Sequence, residues 1–423
     1  MMFQTMEQCT EFIFKLKASQ YKGEPLQSAR IILEKLGNPE KKTKFVHFAG
    51  SNGKGSTLNA TREILMSHEL TVGAFISPHL ERANERITIN KQQISDGDFL
   101  RITNKIAFIV ESELEGKFPS FFEIVTLIAL QYFSEQDIDV ALLETGIGGR
   151  LDSTNVITPE ISVITTISLE HTDLLGDTYA KIAFEKAGII KNSKPVVVGV
   201  KNKEALAVIH RVANEKNAPI YILDDHFHIQ PIDTKSFRYE GIVPIDKVEL
   251  AMVGTHQMDN AALAITTAQL LLTTLDEQKV KLALKRAKWE GRFERVGMNV
   301  ILDGAHNSEG TTSLIETLQF VEPNKKYKFI YAALQDKDHA VSIAMMDKVA
   351  FEMHFTQIDL PRAAKAEQLM AQSTHVKKAA HTNWEVLITD QLHQLANDEL
   401  LVITGSLYFI AEVRSVFVKK GLL

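Results

Sequence analysis

The stretch FVHFAGSNGKGSTLNATREIL, residues 45–65, decides how this chain is read. Phe45 to Ala49 is an apolar run of strand length. Gly50-Ser51-Asn52-Gly53-Lys54-Gly55-Ser56 turns it, and Lys54 to about His68 suits a helix. Strand, glycine-rich turn and helix in that order aim backbone N–H groups and a helix N-terminus at anionic oxygens. Lys54 adds charge, and a Ser56 hydroxyl suits Mg²⁺. The common phosphate loop has four residues between its first Gly and the Gly-Lys pair, and Ser or Thr directly after Lys. Here only Ser51 and Asn52 separate Gly50 from Gly53, and Gly55 intervenes before Ser56. The plain alternative is a glycine-rich turn with no ligand.

Outward from this loop, β-branched runs alternate with helical segments. Strands are expected at 70–77, 139–146, 161–168 and 195–200, and helices near 96–114, 123–135 and 178–191, the last stopped by Gly188. Residues 86–95 read as a side hairpin and 225–250 as a small antiparallel patch; Gly254 to Leu271 begins a long helix. The pattern restarts near 295, with a strand and turn over 296–305, a helix from Ser308, and strands at 326–334, 350–356 and 399–406. The expected fold is α/β: a phosphate-loop, doubly wound, mostly parallel sheet domain with small antiparallel additions over 1–288, then a smaller Rossmann-like α/β domain over 289–423. Residues 288–296 would form the hinge. Ligands of such sheets bind beyond the carboxyl ends of the strands, where residues 50–56, Ser77, Glu144, Ser168 to His171 and Asp303 to Asn307 all fall.

A formal charge of −6 over 423 residues gives no basic excess for nucleic acid. Cys9 is the one cysteine, so no internal disulfide forms and a reducing compartment fits. The N-terminal stretch reads as an amphipathic helix rather than a signal peptide, and no apolar run is long enough to span a bilayer. A cytoplasmic protein with no membrane or nucleic-acid partner is expected.

The loop's spacing resembles that of the ATP-dependent Mur-type amide ligases, and within them the folylpolyglutamate synthase/dihydrofolate synthase family. SPHLERANERI (77–87), LETGIGGRLDSTN (143–155), EHTDLLGDTYAKIAFEKAGIIK (170–191), GTHQMDNAALA (254–264), EGRFE (290–294), DGAHN (303–307) and GSLYFIAEVR (405–414) follow in family order across nearly the whole chain. The resemblance implies roles by position. Asn52, Gly53, Lys54, Gly55, Ser56, Asn260, Arg292 and Asp303 would bind ATP. Ser77, Glu144, His171 and Ser56 would hold magnesium, a hard-oxygen set apart from the histidine. Lys54, Lys186 and His306 would act in catalysis. Lys186 would be carbamylated, which needs a neutral amine and so a lowered pKa. As plain sequence it is a solvated lysine or an ion-pair partner. Phe121, Phe122, Glu123, Leu151, Asp152 and Ser153 would bind the folate, although adjacent aromatics are more often core. As plain sequence, Asp303 and Asn307 are turn or cap residues. Ser51 stands where the family often has Thr, and Glu170 where Asp often precedes the histidine.

The implied reaction joins L-glutamate to a folate, with dihydropteroate a further candidate acceptor. MgATP would be held between the two domains. ATP phosphorylates a substrate carboxylate, and the amine displaces phosphate from the acyl phosphate. Two magnesium ions are expected, a monovalent cation such as K⁺ is a further candidate, and a monomer is expected. A Mur-type ligase for a muropeptide or another amino-acid polymer is the sibling reading. A nucleotide switch is the rival from another class; the separate DGAHN domain speaks against it.

Overall fold

Five consecutive buried residues, Phe45–Ala49, form the central strand β1, as an apolar run covered on both faces must. The chain is described as a computed structural model covering residues 2–335 and 339–423. Around β1 lie β2 (Val72–Phe75), the hairpin β3 (Ile87–Ile89) and β4 (Gln92–Gln93), β5 (Val140–Glu144), β6 (Ile161–Ile164), β7 (Val196–Val198) and β8 (Ile220–Ile222). Their order is β4-β3-β2-β5-β1-β6-β7-β8. Every pairing from β2 to β8 is parallel, and the side hairpin adds antiparallel strands to one edge. The chain runs from β5 on one side of β1 to β6 on the other, so β1 stands at the point where the winding reverses. A crevice for ligands opens at such a point.

Two of the cores on this sheet show how its helices cover it. Helices Asp96–Glu113 and Phe121–Ser134 pack with Phe45, Phe75, Ala141 and Leu143 in one. In the other, Ile182 and Ile209, from helices Tyr179–Ala187 and Lys203–Glu215, meet Ile164, Val196 and Val198. The helix expected from 123 starts at Phe121, because Ser120 and Glu123 form a reciprocal capping box. Gly188 ends its helix in right-handed backbone; it is glycine because a Cβ would lie 2.4 Å from Arg150 Cβ.

The antiparallel patch is a three-stranded sheet of β9 (His228–Pro231), β10 (Ser236–Glu240) and β11 (Ile245–Glu249), followed by helix Thr255–Leu271. A further sheet comprises β12 (Glu294–Val296), β13 (Val300–Leu302), β14 (Lys326–Tyr331), β15 (Ala350–Phe355), β16 (Lys378–Ala380) and β17 (Glu399–Thr404), in the order β12-β13-β17-β14-β15-β16. It is parallel except for β12, so the single strand expected over 296–305 is instead the second arm of a hairpin turned at Gly297, where φ is 57°. Two compact units result: residues up to 232 with 236–249 and 258–287, and residues 233–235 and 250–257 with those from 288 on. Among the described residues, no helix is long and apolar enough to cross a membrane.

Candidate active site

The phosphate-type loop leaves the carboxyl end of β1 in a conformation that needs its glycines. Gly50 has φ 153° and Gly53 has φ 84°, and a Cβ at either would lie 1.9 Å from Thr165 Oγ1 or 2.4 Å from Asn260 Oδ1. The loop is pinned to the segment after β6. Ser51 N donates to Thr166 O at 2.8 Å, Asn52 N to Thr166 Oγ1 at 2.9 Å, and Ser168 N to Ser51 Oγ at 2.9 Å. Thr165 Oγ1 donates to Asn52 O at 2.6 Å. A hydroxyl is what position 51 requires, and serine supplies it as threonine would. Lys54 is the first residue of helix Lys54–Ser67, and its Nζ folds back to Gly50 O at 2.8 Å and Ser51 O at 3.3 Å. Ser56 is buried in the first turn of that helix. Asn260 closes the loop from helix Thr255–Leu271, its Oδ1 accepting from Thr57 Oγ1 at 3.3 Å.

Beside the loop, the parallel pairing of β2 with β5 brings Ser77 to Glu144: Ser77 N donates to Glu144 Oε2 at 3.1 Å, and the glutamate is buried. His171 has left-handed backbone at φ 47° and precedes the short helix Thr172–Leu175. No cluster of three or more His, Cys, Asp or Glu that could hold a metal by itself occurs among the described residues. One carboxylate with serine hydroxyls is a hard-oxygen set suited to magnesium, which keeps waters and shares substrate phosphates. The residues present therefore fit that ion.

Lys186 is not solvated. It is 2% exposed and pairs with Glu170, itself 8% exposed, at 2.9 Å. Burial lowers the lysine to about 8; the Glu170 charge resists this and the Lys54 charge reinforces it. Burial works to raise Glu170, yet the charges of Lys186 and Lys54 hold it at about 2. Lys54, Glu170 and Lys186 thus share one electrostatic neighbourhood. The extra methylene of glutamate over aspartate is used in reaching this lysine. The sequence held the signal: Ile182, Ala183, Lys186 and Ala187 make one helical stripe, and all four are buried.

The residues assigned to folate divide. Phe121 stacks on Phe14 with ring centroids 4.9 Å apart, and the Arg86 guanidinium lies 5.1 Å from the centre of its ring. Arg86 Nε donates to His79 Nδ1 at 2.7 Å, so His79 and Arg86 join this aromatic cluster, which sequence reasoning did not single out. Phe122 lies against Phe75 and over Gly146, where a Cβ would sit 2.8 Å from its ring. Glu123 accepts from Ser120 N and Oγ at 2.8 and 2.7 Å and from Ser28 Oγ at 3.1 Å. Leu151 is 48% exposed, while Asp152 and Ser153 are buried. Asp152 Oδ2 accepts from Gly146 N and Ile147 N, each at 2.9 Å.

In the other unit, Asp303 follows β13 and accepts from Phe293 N at 2.7 Å and Ala305 N at 2.9 Å. Burial raises its carboxyl, and the Arg292 charge opposes that rise. Gly304 leaves room for Arg292, whose Nη1 would be 2.5 Å from a Cβ there. His306 Nδ1 donates to Gly304 O at 2.8 Å. Asn307 caps helix Ser308–Val321, accepting from Gly310 N at 2.7 Å. Arg292, Asp303 and His306 are thus gathered around one strand end.

The chain is similar to proteins already known. The Mur ligase middle domain matches residues 48–268, and the Mur ligase glutamate ligase domain matches residues 291–407. The chain is 38% identical over 398 residues to the dihydrofolate synthase/folylpolyglutamate synthase of Bacillus subtilis, covering 90% of this chain and 92% of that protein. Escherichia coli FolC, solved in complex with DHPP and ADP, superposes with a TM-score of 0.91 at 26% identity, covering 99% of both chains. The bifunctional folylpolyglutamate synthase/dihydrofolate synthase of Yersinia pestis, complexed with AMPPNP and Mn ion, gives 0.89 at 28% identity over 98% of each chain. With the variant loop, the buried lysine and both Mur ligase domains in one chain, the protein belongs to the folylpolyglutamate synthase/dihydrofolate synthase family of ATP-dependent ligases.

Proposed function

We propose that this chain adds L-glutamate to a reduced folate, with ATP converted to ADP and phosphate, and that dihydropteroate is a second acceptor. The observation that carries the reading is the pinned loop of Gly50 to Ser56 with Lys54, Glu170 and Lys186 coupled beside it. A carboxylate of the acceptor attacks the γ-phosphorus of ATP, forming an acyl phosphate and releasing ADP. The glutamate amine attacks the acyl carbon, phosphate leaves with the bonding electron pair, and the amine proton passes to solvent or to a base.

In this reading the loop from Asn52 to Ser56 binds phosphate oxygens through the backbone N–H groups of Gly53 to Ser56 and the Lys54 ammonium. Lys54 exchanges its carbonyl partners for phosphate. Ser77, Glu144, His171 and Ser56 would hold magnesium, for which we propose two ions, with K⁺ as a further ligand. Bound there, the metal neutralises charge on the transferring phosphoryl group. Asn260 holds the loop closed. Arg292 meets phosphate, Asp303 meets the nucleotide, and His306 stands near the transferred group. Lys186, whose pKa burial lowers, gives up a proton, bonds through its neutral Nζ to the carbon of CO₂ and releases a second proton to solvent, which leaves an anionic carbamate. Phe121, Phe122, Glu123, Leu151, Asp152 and Ser153 shape the folate site. We further propose a domain boundary at 288/289, a monomer and a cytoplasmic setting.

The test is ADP release with glutamate and, in separate reactions, tetrahydrofolate, dihydropteroate or a muropeptide acceptor. Glutamate-dependent turnover with tetrahydrofolate is expected, and turnover with dihydropteroate would establish the second activity. Turnover with the muropeptide alone would overturn the reading.

A further inference from the structure

β1 is apolar except for His47, which is fully buried between Val46 and Phe48. Its Nε2 lies 2.8 Å from Thr154 Oγ1. That hydroxyl lies 2.5 Å from Asp152 Oδ1, which also accepts from Thr154 N at 3.0 Å. The other oxygen, Oδ2, takes the N–H groups of Gly146 and Ile147. A carboxylate acceptor claims the threonine's single proton, so Thr154 Oγ1 has only lone pairs to offer the imidazole. His47 must therefore donate from Nε2, which leaves Nδ1 an acceptor. That atom is buried and has no hydrogen-bond partner among the described residues. Burial, aided by the Lys191 charge, holds the ring neutral with its pKa at about 3.

A leucine at position 47 would fill a strand interior without leaving an acceptor unpaired, so packing alone gives histidine no advantage. What the imidazole supplies is one directed proton at the start of a chain that ends on two backbone amides. Those amides belong to the turn after β5. Asp152 Oδ2 would be 3.2 Å from a Cβ on Gly146, and the ring of Phe122 rests on the same glycine. Asp152, Gly146 and Phe122 are thus one wall, and its position is set from inside the sheet.

We infer that His47 and Thr154 are positioning residues for the folate-binding wall formed by Asp152, Gly146 and Phe122. This rests on the folate reading of that segment. His47 orients the Thr154 hydroxyl, the hydroxyl fixes the Asp152 carboxylate, and the carboxylate fixes the turn. Neither residue touches the substrate.

The test measures KM for tetrahydrofolate, KM for ATP, kcat, magnesium requirement and thermal unfolding in the full-length protein. Thr154→Val removes one hydroxyl at nearly constant volume, and His47→Leu removes the donor. Each should raise the folate KM about tenfold, the effect of losing one hydrogen bond in a charge-assisted chain, and leave KM for ATP, kcat and the magnesium requirement near wild type. Thr154→Ser and His47→Gln, which keep a hydroxyl and an N–H donor, should bring the folate KM back toward wild type. Asp152→Ala separates the two claims. If it raises the folate KM while Thr154→Val does not, the folate reading stands and the inference is wrong. If Asp152→Ala also leaves that KM unchanged, the folate reading of this segment fails and takes the inference with it. Equal rises in both KM values, or a shifted magnesium requirement, would show a general or Glu144-directed role and overturn it. Should His47→Leu fail to fold, the two Thr154 variants still decide.

Discussion

Single side chains carry the sharpest tests. Lys54 Nζ holds two carbonyls of its own loop, while the loop is also fixed by backbone and threonine contacts that do not involve it. Lys54→Ala should therefore unfold near the wild-type temperature yet lose on the order of 100-fold or more in ADP release. Near-normal turnover in the folded variant would remove the lysine from the chemistry. For Lys186 the proposed carbamate is checked by rescue. Lys186→Ala should lose most activity and regain part of it in acetate or formate, whereas Lys186→Arg should stay inactive because it keeps positive charge. Wild-type rates in both would mean the buried pair with Glu170 is structural only. Loop glycines, Lys54 and the strand-end positions of Ser77 and Glu144 were legible in the sequence, because strand, turn and helix signals are local. The Glu170 contact was not, since it joins residues 16 positions apart across a turn that propensity does not describe. Nor was the cluster of Phe14, His79 and Arg86 around Phe121, which depends on helix Met6–Phe14 docking on the sheet domain.

At the scale of elements, strand ends make the metal prediction. β2 and β5 run side by side, so Ser77 and Glu144 reach the same edge. Glu144→Gln and His171→Ala should each raise the magnesium concentration needed for half-maximal turnover about tenfold or more. An unchanged titration would reduce both to packing roles. Helix starts make a stability prediction. Ser120→Ala removes the acceptor for Glu123 N and a donor to Glu123, and should cost about 1 kcal/mol in denaturant unfolding. Buried strands with β-branched runs were readable to within a few residues. Helix Lys203–Glu215 and strands β8 and β16 passed unread; β8 and β16 are three residues each, too short for a period to show. The hairpin at Gly297 was hidden because a single glycine turned what looked like one strand.

For the whole molecule, buried histidines give stability a defined response to acid. Burial lowers His47 to about 3, and burial with a neighbouring arginine lowers His79 and His256 each to about 4, from an ordinary 6.5. Below pH 6.5 the unfolded chain binds protons that the folded chain refuses. The contribution of these histidines is therefore full above that pH and declines as pH falls toward 4, with a limiting slope of about 1.4 kcal/mol per pH unit for each histidine. Denaturant unfolding at pH 7.5, 6 and 5 should show this decline before most carboxylates titrate, and a flat profile would contradict it. Two α/β sheets were legible at this scale because alternation of strand and helix repeats over long stretches. The order of the strands was not, since pairing is decided by contacts between distant segments. One such distant contact bears on how the protein is made. Thr57 and Asn260 are 203 positions apart, and Gly53 leans on the same asparagine. During synthesis the loop residues emerge long before the helix that seals them. Nucleotide affinity should then arrive late and abruptly, once residue 260 clears the ribosome, so ribosome-bound chains halted near residue 250 would emerge with their anion loop unbraced.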